Sequence, residues 1–144
     1  MIRGFSLFMM VSFLMMSCQQ KDTHFNQKTK FSLVSKETSN INFSNIVTES
    51  TFNNLITNFY VYNGAGVAVG DINNDGLDDI YFVSNQGQDK LYLNQGNLHF
   101  KDITQQAKIN NSDGWSTGVT MVDINSDGWL DIFVSKSSPV KNKA

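Results

Sequence analysis

Two short acidic segments of the chain have the residue types and the spacing of a cation-binding loop. One runs from Asp71 to Asp79 and the other from Asp123 to Asp131, and both read D-x-N-x-D-G-x-x-D. Oxygen-bearing side chains at positions 1, 3 and 5 of a tight loop converge, and glycine at position 6 permits the sharp turn round an ion. A backbone carbonyl at position 7 and a carboxylate at position 9 then complete the shell. The predicted ligands are Asp71, Asn73, Asp75, Leu77 and Asp79 in the first loop, and Asp123, Asn125, Asp127, Trp129 and Asp131 in the second.

The donor set of each loop favours Ca²⁺. Calcium accepts six to eight oxygen ligands in flexible geometry, whereas Mg²⁺ demands a near-ideal octahedron and Zn²⁺ prefers Cys and His, which neither loop contains. An EF-hand shares positions 1 to 6 but requires Glu at position 12, where Phe82 and Val134 stand here. Ordinary turns rich in Asp, Asn and Gly are the alternative interpretation. Because the pattern occurs twice with the same spacing, cation binding is favoured over ordinary turns. Asp78 is expected to point away from it.

Segments with the alternation of β-strands must position these loops. Gly66–Val69 and Asp79–Val83 flank the first loop, and Lys90–Asn94 and His99–Ile103 follow after short turns. Four strands at about ten-residue spacing predict an all-β sandwich, barrel or propeller. Residues 41–44 also alternate as a strand would, and no helical period is visible beyond residue 16.

The strand–loop–strand pattern recurs along the chain. Asp123 follows Asp71 by 52 residues, and the segments Gly118–Val122 and Leu130–Ser135 repeat the strands on either side of the first loop. The pairs Gly66/Gly118, Gly76/Gly128 and Asp79/Asp131 keep the same offset. A period near 50 residues with about four strands per unit predicts propeller blades.

The N-terminus is typical of a secretory signal peptide. Arg3 precedes an apolar run from Phe5 to Met16, which ends at Ser17-Cys18 and is shorter than the ~20 residues of a spanning helix. A short membrane anchor or a buried helix is the alternative. Residues 1–17 are therefore predicted to be a leader, and residues 18–30, which are polar and without periodicity, a flexible tether.

Cys18 is the only cysteine, so no internal disulfide can form. Residues Leu14 to Cys18 resemble the lipobox of a bacterial lipoprotein, although Met15 stands where Leu is commonest. The resemblance implies acylation of Cys18, attachment to a membrane through the lipid, and an exported protein of the outer membrane or cell surface. A free structural cysteine is the alternative.

No set of residues in the sequence has the spacing of a catalytic centre, so the protein is predicted not to be an enzyme. His24 lies in the tether and His99 begins a strand, and there is no G-x-S-x-G motif. The net charge of −2 does not indicate the positively charged surface that nucleic-acid binding requires, so no nucleic-acid partner is predicted.

At the segments Tyr62–Asp71, Asp79–Phe82, Leu91–Gly96 and Phe100–Thr104 the sequence resembles the FG-GAP/VCBS repeats, which build integrin-α-like propellers. Within that family it is most similar to bacterial lipoproteins related to cartilage acidic protein, which often carry an ASPIC/UnbV domain. The resemblance implies an all-β, incomplete β-propeller of about one and a half blades with calcium-binding hairpin loops. The blade spans about residues 60–104 and the half blade about 115–136, within a domain of residues 31–144.

The size of the chain and its family resemblance together suggest three possible roles. A closed propeller needs about four to eight blades, so the chain is expected to be an N-terminal portion of a longer protein. The leading hypothesis is a membrane-anchored binding or scaffold module for an unknown protein or glycan. The alternatives are the non-catalytic N-terminal part of a secreted enzyme acting on polysaccharide, and a small lipoprotein whose half blades dimerise. Phe59, Tyr60 and Tyr62 are expected to pack between blades, with a platform for a ligand as the alternative, and Trp129 is expected to be an exposed contact residue.

Overall fold

The computed structural model describes residues 30–110 and 115–137. The chain divides into two compact units, Met1–Ser32 and Leu33–Ala144. The described residues of the first unit, 30–32, are exposed. The predicted leader, Cys18 and the tether up to residue 29 lie outside the described residues. None of the helices in the described ranges has the length and apolar character needed to cross a membrane.

The first sheet of the second unit is a four-stranded antiparallel meander. Its strands are β1 (Val67–Gly70), β2 (Asp79–Phe82), β3 (Lys90–Asn94) and β4 (Phe100–Asp102), in that spatial order. In the register, Ala68 lies opposite Tyr81, and Tyr81 opposite Leu91. Because side chains alternate across a strand, these three side chains share one face of the sheet.

The second sheet is a two-stranded hairpin of β5 (Trp115–Val122) and β6 (Asp131–Ser137). The register shifts between Ser116 and Gly118, which marks a bulge or irregularity in β5. One four-stranded sheet and one hairpin confirm the all-β prediction and the incomplete propeller of about one and a half blades.

The core lies between the two sheets. Tyr81, Val83 and Leu91 form a buried cluster on the first sheet. Partly buried residues of the hairpin pack against this cluster, namely Val119, Met121, Ile132 and Val134. The alternation of the hairpin strands thus directs one face towards the first sheet, and burial of this apolar surface holds the sheets together.

The segment before the first sheet differs from the sequence prediction. It contains a one-turn helix, α1 (Lys36–Ser39), which Ser35 caps by accepting the Thr38 N–H at 3.3 Å. A single turn is too short to show a helical period. Residues 41–44 do not form a strand, because the Asn42 N–H is donated to the Tyr92 hydroxyl rather than to a neighbouring strand. Their alternation instead places Phe43 on the first sheet, stacked on Phe82 with ring centroids 4.8 Å apart.

The predicted inter-blade packing of Phe59, Tyr60 and Tyr62 is wrong, since all three side chains are exposed. Residues 50–63 fold as successive turns instead of presenting these rings on a sheet face. Asparagine side chains hold the turns: Asn54 accepts the Ile56 N–H at 2.9 Å, and Asn58 accepts the Tyr60 N–H at 3.1 Å. Such local side-chain acceptors compete with sheet formation.

Candidate metal-binding loops

The first loop joins β1 to β2 and is organised by the carboxylate of Asp71. Its two oxygens accept the Asp75 N–H at 3.1 Å and the Gly76 N–H at 2.7 Å. Asn74 and Gly76 have φ values of 57° and 85°. These left-handed conformations turn the chain back on itself, and glycine adopts them without strain.

The second loop joins β5 to β6 and reproduces this geometry. Asp123 accepts the Asp127 N–H at 3.1 Å and the Gly128 N–H at 2.9 Å. Ser126 and Gly128 have φ values of 60° and 88°. The two copies of the sequence pattern therefore fold alike, although Ser126 replaces Asn at position 4.

Positions 3 and 5 also contact each other in both loops. Asn73 donates to Asp75 at 2.9 Å, and Asn125 donates to Asp127 at the same distance. In the second loop the Trp129 N–H and the Asn125 amide lower the pKa of the Asp127 carboxyl. Hydrogen bonds thus link the first three predicted ligand positions of each loop.

Position 9 distinguishes the two loops. Asp79 is 0% exposed, and its two oxygens accept the Ile72 N–H at 3.1 Å and the Asn94 N–H of β3 at 2.8 Å. Burial is the main cause that raises the pKa of Asp79, and the negative charges of Asp75 and Asp71 raise it further against these hydrogen bonds. The charges of the three acidic side chains therefore act on one another.

Asp131 at the same position of the second loop is exposed. It accepts the Ile124 N–H at 3.1 Å, which matches the contact of Asp79 with Ile72. Within the described residues β6 is paired with β5 alone, so no third strand of the second sheet covers Asp131 as β3 covers Asp79.

The donor chemistry of both loops fits a hard cation, but the described conformation does not gather the donors round a point. Across residues 30–110 and 115–137, no three His, Cys, Asp or Glu side chains are grouped so that they could hold a metal ion. The carboxylates accept backbone N–H groups, and each carboxylate oxygen has a second lone pair available for an ion. The side chains of Leu77 and Trp129 are 37% and 52% exposed, which agrees with the predicted exposure of Trp129.

Sequence reasoning missed two asparagines that support these loops. Asn74 donates to the Gly128 carbonyl at 3.2 Å and so links one loop to the other. Asn94 holds Asp79 through its backbone and donates through its side chain to the Asp78 carbonyl at 2.9 Å. The segment Leu91–Gly96, which resembles the repeat family, contains Asn94 and is the sequence feature that could have indicated its role. No local signal marks the role of Asn74, because its partner is 54 residues away.

Outside the loops, two titratable side chains of the described residues, His99 and Asp89, have structural contacts. His99 is exposed, and its Nδ1 lies 3.1 Å from the Thr38 carbonyl. Asp89 is 0% exposed and accepts the Ser84 N–H at 2.7 Å and the Ser116 hydroxyl at 3.3 Å. Asp89 therefore contributes to the junction between the two sheets.

Comparison with known proteins identifies the segment that contains both loops. Residues 71–134 match the model of the FG-GAP-like repeat. Over 69 residues, or 48% of this chain, the sequence is 36% identical to cartilage acidic protein 1 of Mus musculus and 35% identical to that of Xenopus tropicalis. The human protein of the same name is 33% identical over the same length. The aligned part spans only 10–11% of these relatives. Residues 71–134, which contain both loops, are therefore similar to an FG-GAP-like repeat.

Proposed function

We propose that the protein is a calcium-stabilised, extracytoplasmic binding or scaffold module that is anchored to a membrane through a lipid on Cys18. The observation that carries the proposal is the shared hydrogen-bond geometry of two acidic loops, each at the tip of a β-hairpin. An FG-GAP-like repeat suggests an extracellular β-propeller-like binding module. The anchor rests on the lipobox resemblance of residues 14–18.

In each loop the carboxylates and the amide would hold the ion. In the first loop these groups belong to Asp71, Asn73, Asp75 and Asp79, with the Leu77 carbonyl; in the second they belong to Asp123, Asn125, Asp127 and Asp131, with the Trp129 carbonyl. A bound Ca²⁺ supplies positive charge that offsets the mutual repulsion of these carboxylates. Because the loop shape exists only in the folded chain, an ion bound there stabilises the native state by mass action.

The ligand of the module is proposed to be a protein or a glycan. Exposed residues near the loops, of which Trp129 is the largest, offer a contact surface. Tryptophan is enriched at binding interfaces because it combines a large apolar area with an N–H donor. No nucleic-acid partner and no enzymatic activity are part of the proposal.

Calcium titration of the 144-residue chain tests the proposal. Ca²⁺ should raise the midpoint of thermal unfolding, and the same concentration of Mg²⁺ should raise it less, because Mg²⁺ keeps its waters. Asp75→Ala and Asp127→Ala should each remove part of the increase, and the double variant nearly all of it. Trp129 sits within the second loop, so in a Trp115→Phe background the tryptophan fluorescence should report that loop alone.

Asp78→Ala is the matched control, since Asp78 is exposed, lies in the same loop and is not a predicted ligand. It should leave the calcium-dependent increase unchanged. An increase that is the same for Mg²⁺, or that survives in the Asp75/Asp127 double variant, would rule out the loops as calcium sites.

A further inference from the structure

The turn before β1 contains an asparagine that is followed by glycine, Asn63-Gly64. Such a pair favours deamidation, because glycine has no side chain to hinder the approach of its backbone nitrogen to the asparagine. In this reaction the glycine nitrogen attacks the asparagine Cγ and closes a succinimide ring. The bond from Cγ to the amide nitrogen breaks, and ammonia leaves with the proton of the glycine N–H. Water then opens the ring at either carbonyl, which gives aspartate or isoaspartate.

The structure leaves both reacting groups of this pair accessible. The Asn63 side chain is exposed, and its amide makes no hydrogen bond to any of the described residues. The Gly64 N–H likewise has no acceptor in the part of the chain that the structure describes. A Cβ added at Gly64 would meet no heavy atom within 4 Å. The peptide group between the two residues therefore has room to rotate into the attacking orientation.

The metal-binding loops contain similar pairs in a different arrangement. Positions 5 and 6 of each loop are aspartate and glycine, which can close the same ring by loss of water. The Gly76 N–H, however, is donated to Asp71 at 2.7 Å, and the Gly128 N–H is donated to Asp123 at 2.9 Å. Neither nitrogen can turn towards the preceding side chain without breaking its hydrogen bond. The fold therefore opposes ring closure in the loops and permits it in the turn before β1.

This turn leads directly into the junction between the two sheets. The Gly64 carbonyl accepts the Asn85 side chain at 3.0 Å, and the same side chain donates to the Ser116 carbonyl of β5 at 2.9 Å. Two residues later, a Cβ added at Gly66 would lie 3.1 Å from the Gly118 Cα. Backbone groups on both sides of the junction thus depend on the position of the chain at Gly64.

We propose that Asn63 is a modification site, where the folded chain deamidates spontaneously, and that isoaspartate formed there loosens the junction between the sheets. Isoaspartate passes the backbone through the former side chain and so adds one carbon to the main chain directly before Gly64. The added carbon displaces the Gly64 carbonyl from the Asn85 amide. Aspartate, the other product, adds a negative charge at an exposed position and leaves the backbone length unchanged.

Peptide mapping of the 144-residue chain in mild detergent and excess chelator tests the site. Folded chain, and chain unfolded in guanidinium chloride, are incubated at the same mildly alkaline pH. Mass spectrometry and a methyltransferase specific for isoaspartate then follow the reaction at Asn63, Asp75 and Asp127. The folded rate should lie within about threefold of the unfolded rate at Asn63, and at least about tenfold below it at the two aspartates, where reaction requires local opening.

Comparing each position with itself removes the difference in intrinsic reactivity between asparagine and aspartate. A folded rate at Asn63 that is reduced as much as the rates in the loops would overturn the proposed site. Asp71→Ala removes the acceptor of the Gly76 N–H, so it should raise the folded rate at Asp75. The rate at Asp127 in the same molecule is the matched control and should not change. A rate at Asp75 that stays as slow as in wild type would contradict the protection assigned to the loops.

The effect on the junction is measured on the isoaspartate form, separated by chromatography from the incubated chain. It should unfold at a lower temperature than unmodified chain, and hydrogen exchange should become faster at the amides of β5. Freshly purified Asn63→Asp is the matched control, because it carries the new charge on a backbone of ordinary length. It should unfold like wild type. An isoaspartate form with the stability and β5 exchange of Asn63→Asp would overturn the loosening of the junction.

Discussion

At the scale of single residues, left-handed backbone conformations shape the loops. Each loop has a non-glycine residue with positive φ at position 4 and a glycine with positive φ at position 6. No heavy atom lies within 4 Å of a Cβ added at Gly76 or Gly128. Steric crowding therefore does not explain the glycines at these positions. They are required because their φ is positive, a conformation that glycine adopts without strain.

Gly76→Ala and Gly128→Ala should each lower the free energy of unfolding by about 1–2 kcal/mol, because an L-residue with a side chain is strained at positive φ. Urea unfolding at low protein concentration is the measurement. Gly118→Ala is the control, since its φ is ordinary, and it should change stability little. Equal losses in all three variants would contradict the conformational explanation.

At the scale of the elements, the same hairpin occurs in two environments. The β1–β2 hairpin is completed by β3, whose Asn94 N–H reaches Asp79, whereas the described part of the second sheet ends at β6. Asp79 is consequently a buried acceptor for two N–H groups, and Asp131 is an exposed acceptor for the Ile124 N–H. Asp79 and Asp131 occupy the same motif position, but we therefore expect them to contribute unequally to the free energy of unfolding.

In excess chelator, Asp79→Ala should lower the free energy of unfolding by about 2–4 kcal/mol, because it leaves two N–H groups near the core without an acceptor. Asp131→Ala is the matched variant and should cost less than about 1 kcal/mol, since water can replace its exposed contact. Chemical denaturation at neutral pH measures both. A cost at Asp131 as large as that at Asp79 would show that burial by β3 is not the cause.

At the scale of the whole second unit, one asparagine joins three segments that are distant in sequence. Asn85 is 1% exposed, accepts the Asn45 amide at 2.8 Å, and donates to the Gly64 carbonyl at 3.0 Å and the Ser116 carbonyl at 2.9 Å. It therefore ties the N-terminal segment and β5 to the first sheet. Buried polar groups that are fully paired in this way specify one arrangement of the elements.

Asn85→Ala should lower the free energy of unfolding by about 2–3 kcal/mol, because it leaves buried polar groups unpaired. Hydrogen exchange should also become faster at the amides of β5, which loses the link through Ser116. Gln86→Ala is the neighbouring control, since Gln86 contacts only exposed backbone groups of Thr48. Unchanged exchange in β5 would contradict a joining role for Asn85.

The sequence by itself determined the features that depend on local chemistry. Glycine and asparagine at fixed positions predicted the turns, and alternation predicted β1 to β4 to within a few residues. The repeat of 52 residues predicted the second hairpin, because equal local sequences form equal turns. The ten predicted ligand residues all lie in or at the ends of these loops, while the calcium that they are predicted to bind remains a proposal.

Only the tertiary structure decided which residues are buried and which are exposed. Residues 41–44 alternate like a strand but lie across the first sheet, because a strand exists only where a neighbour accepts its hydrogen bonds. Phe59, Tyr60 and Tyr62 have the composition of a core and are exposed. Asp79 and Asp131 share one motif position and differ in burial because β3 covers one of them. Turn geometry depends on a few adjacent residues, whereas burial depends on elements that are far apart in the chain.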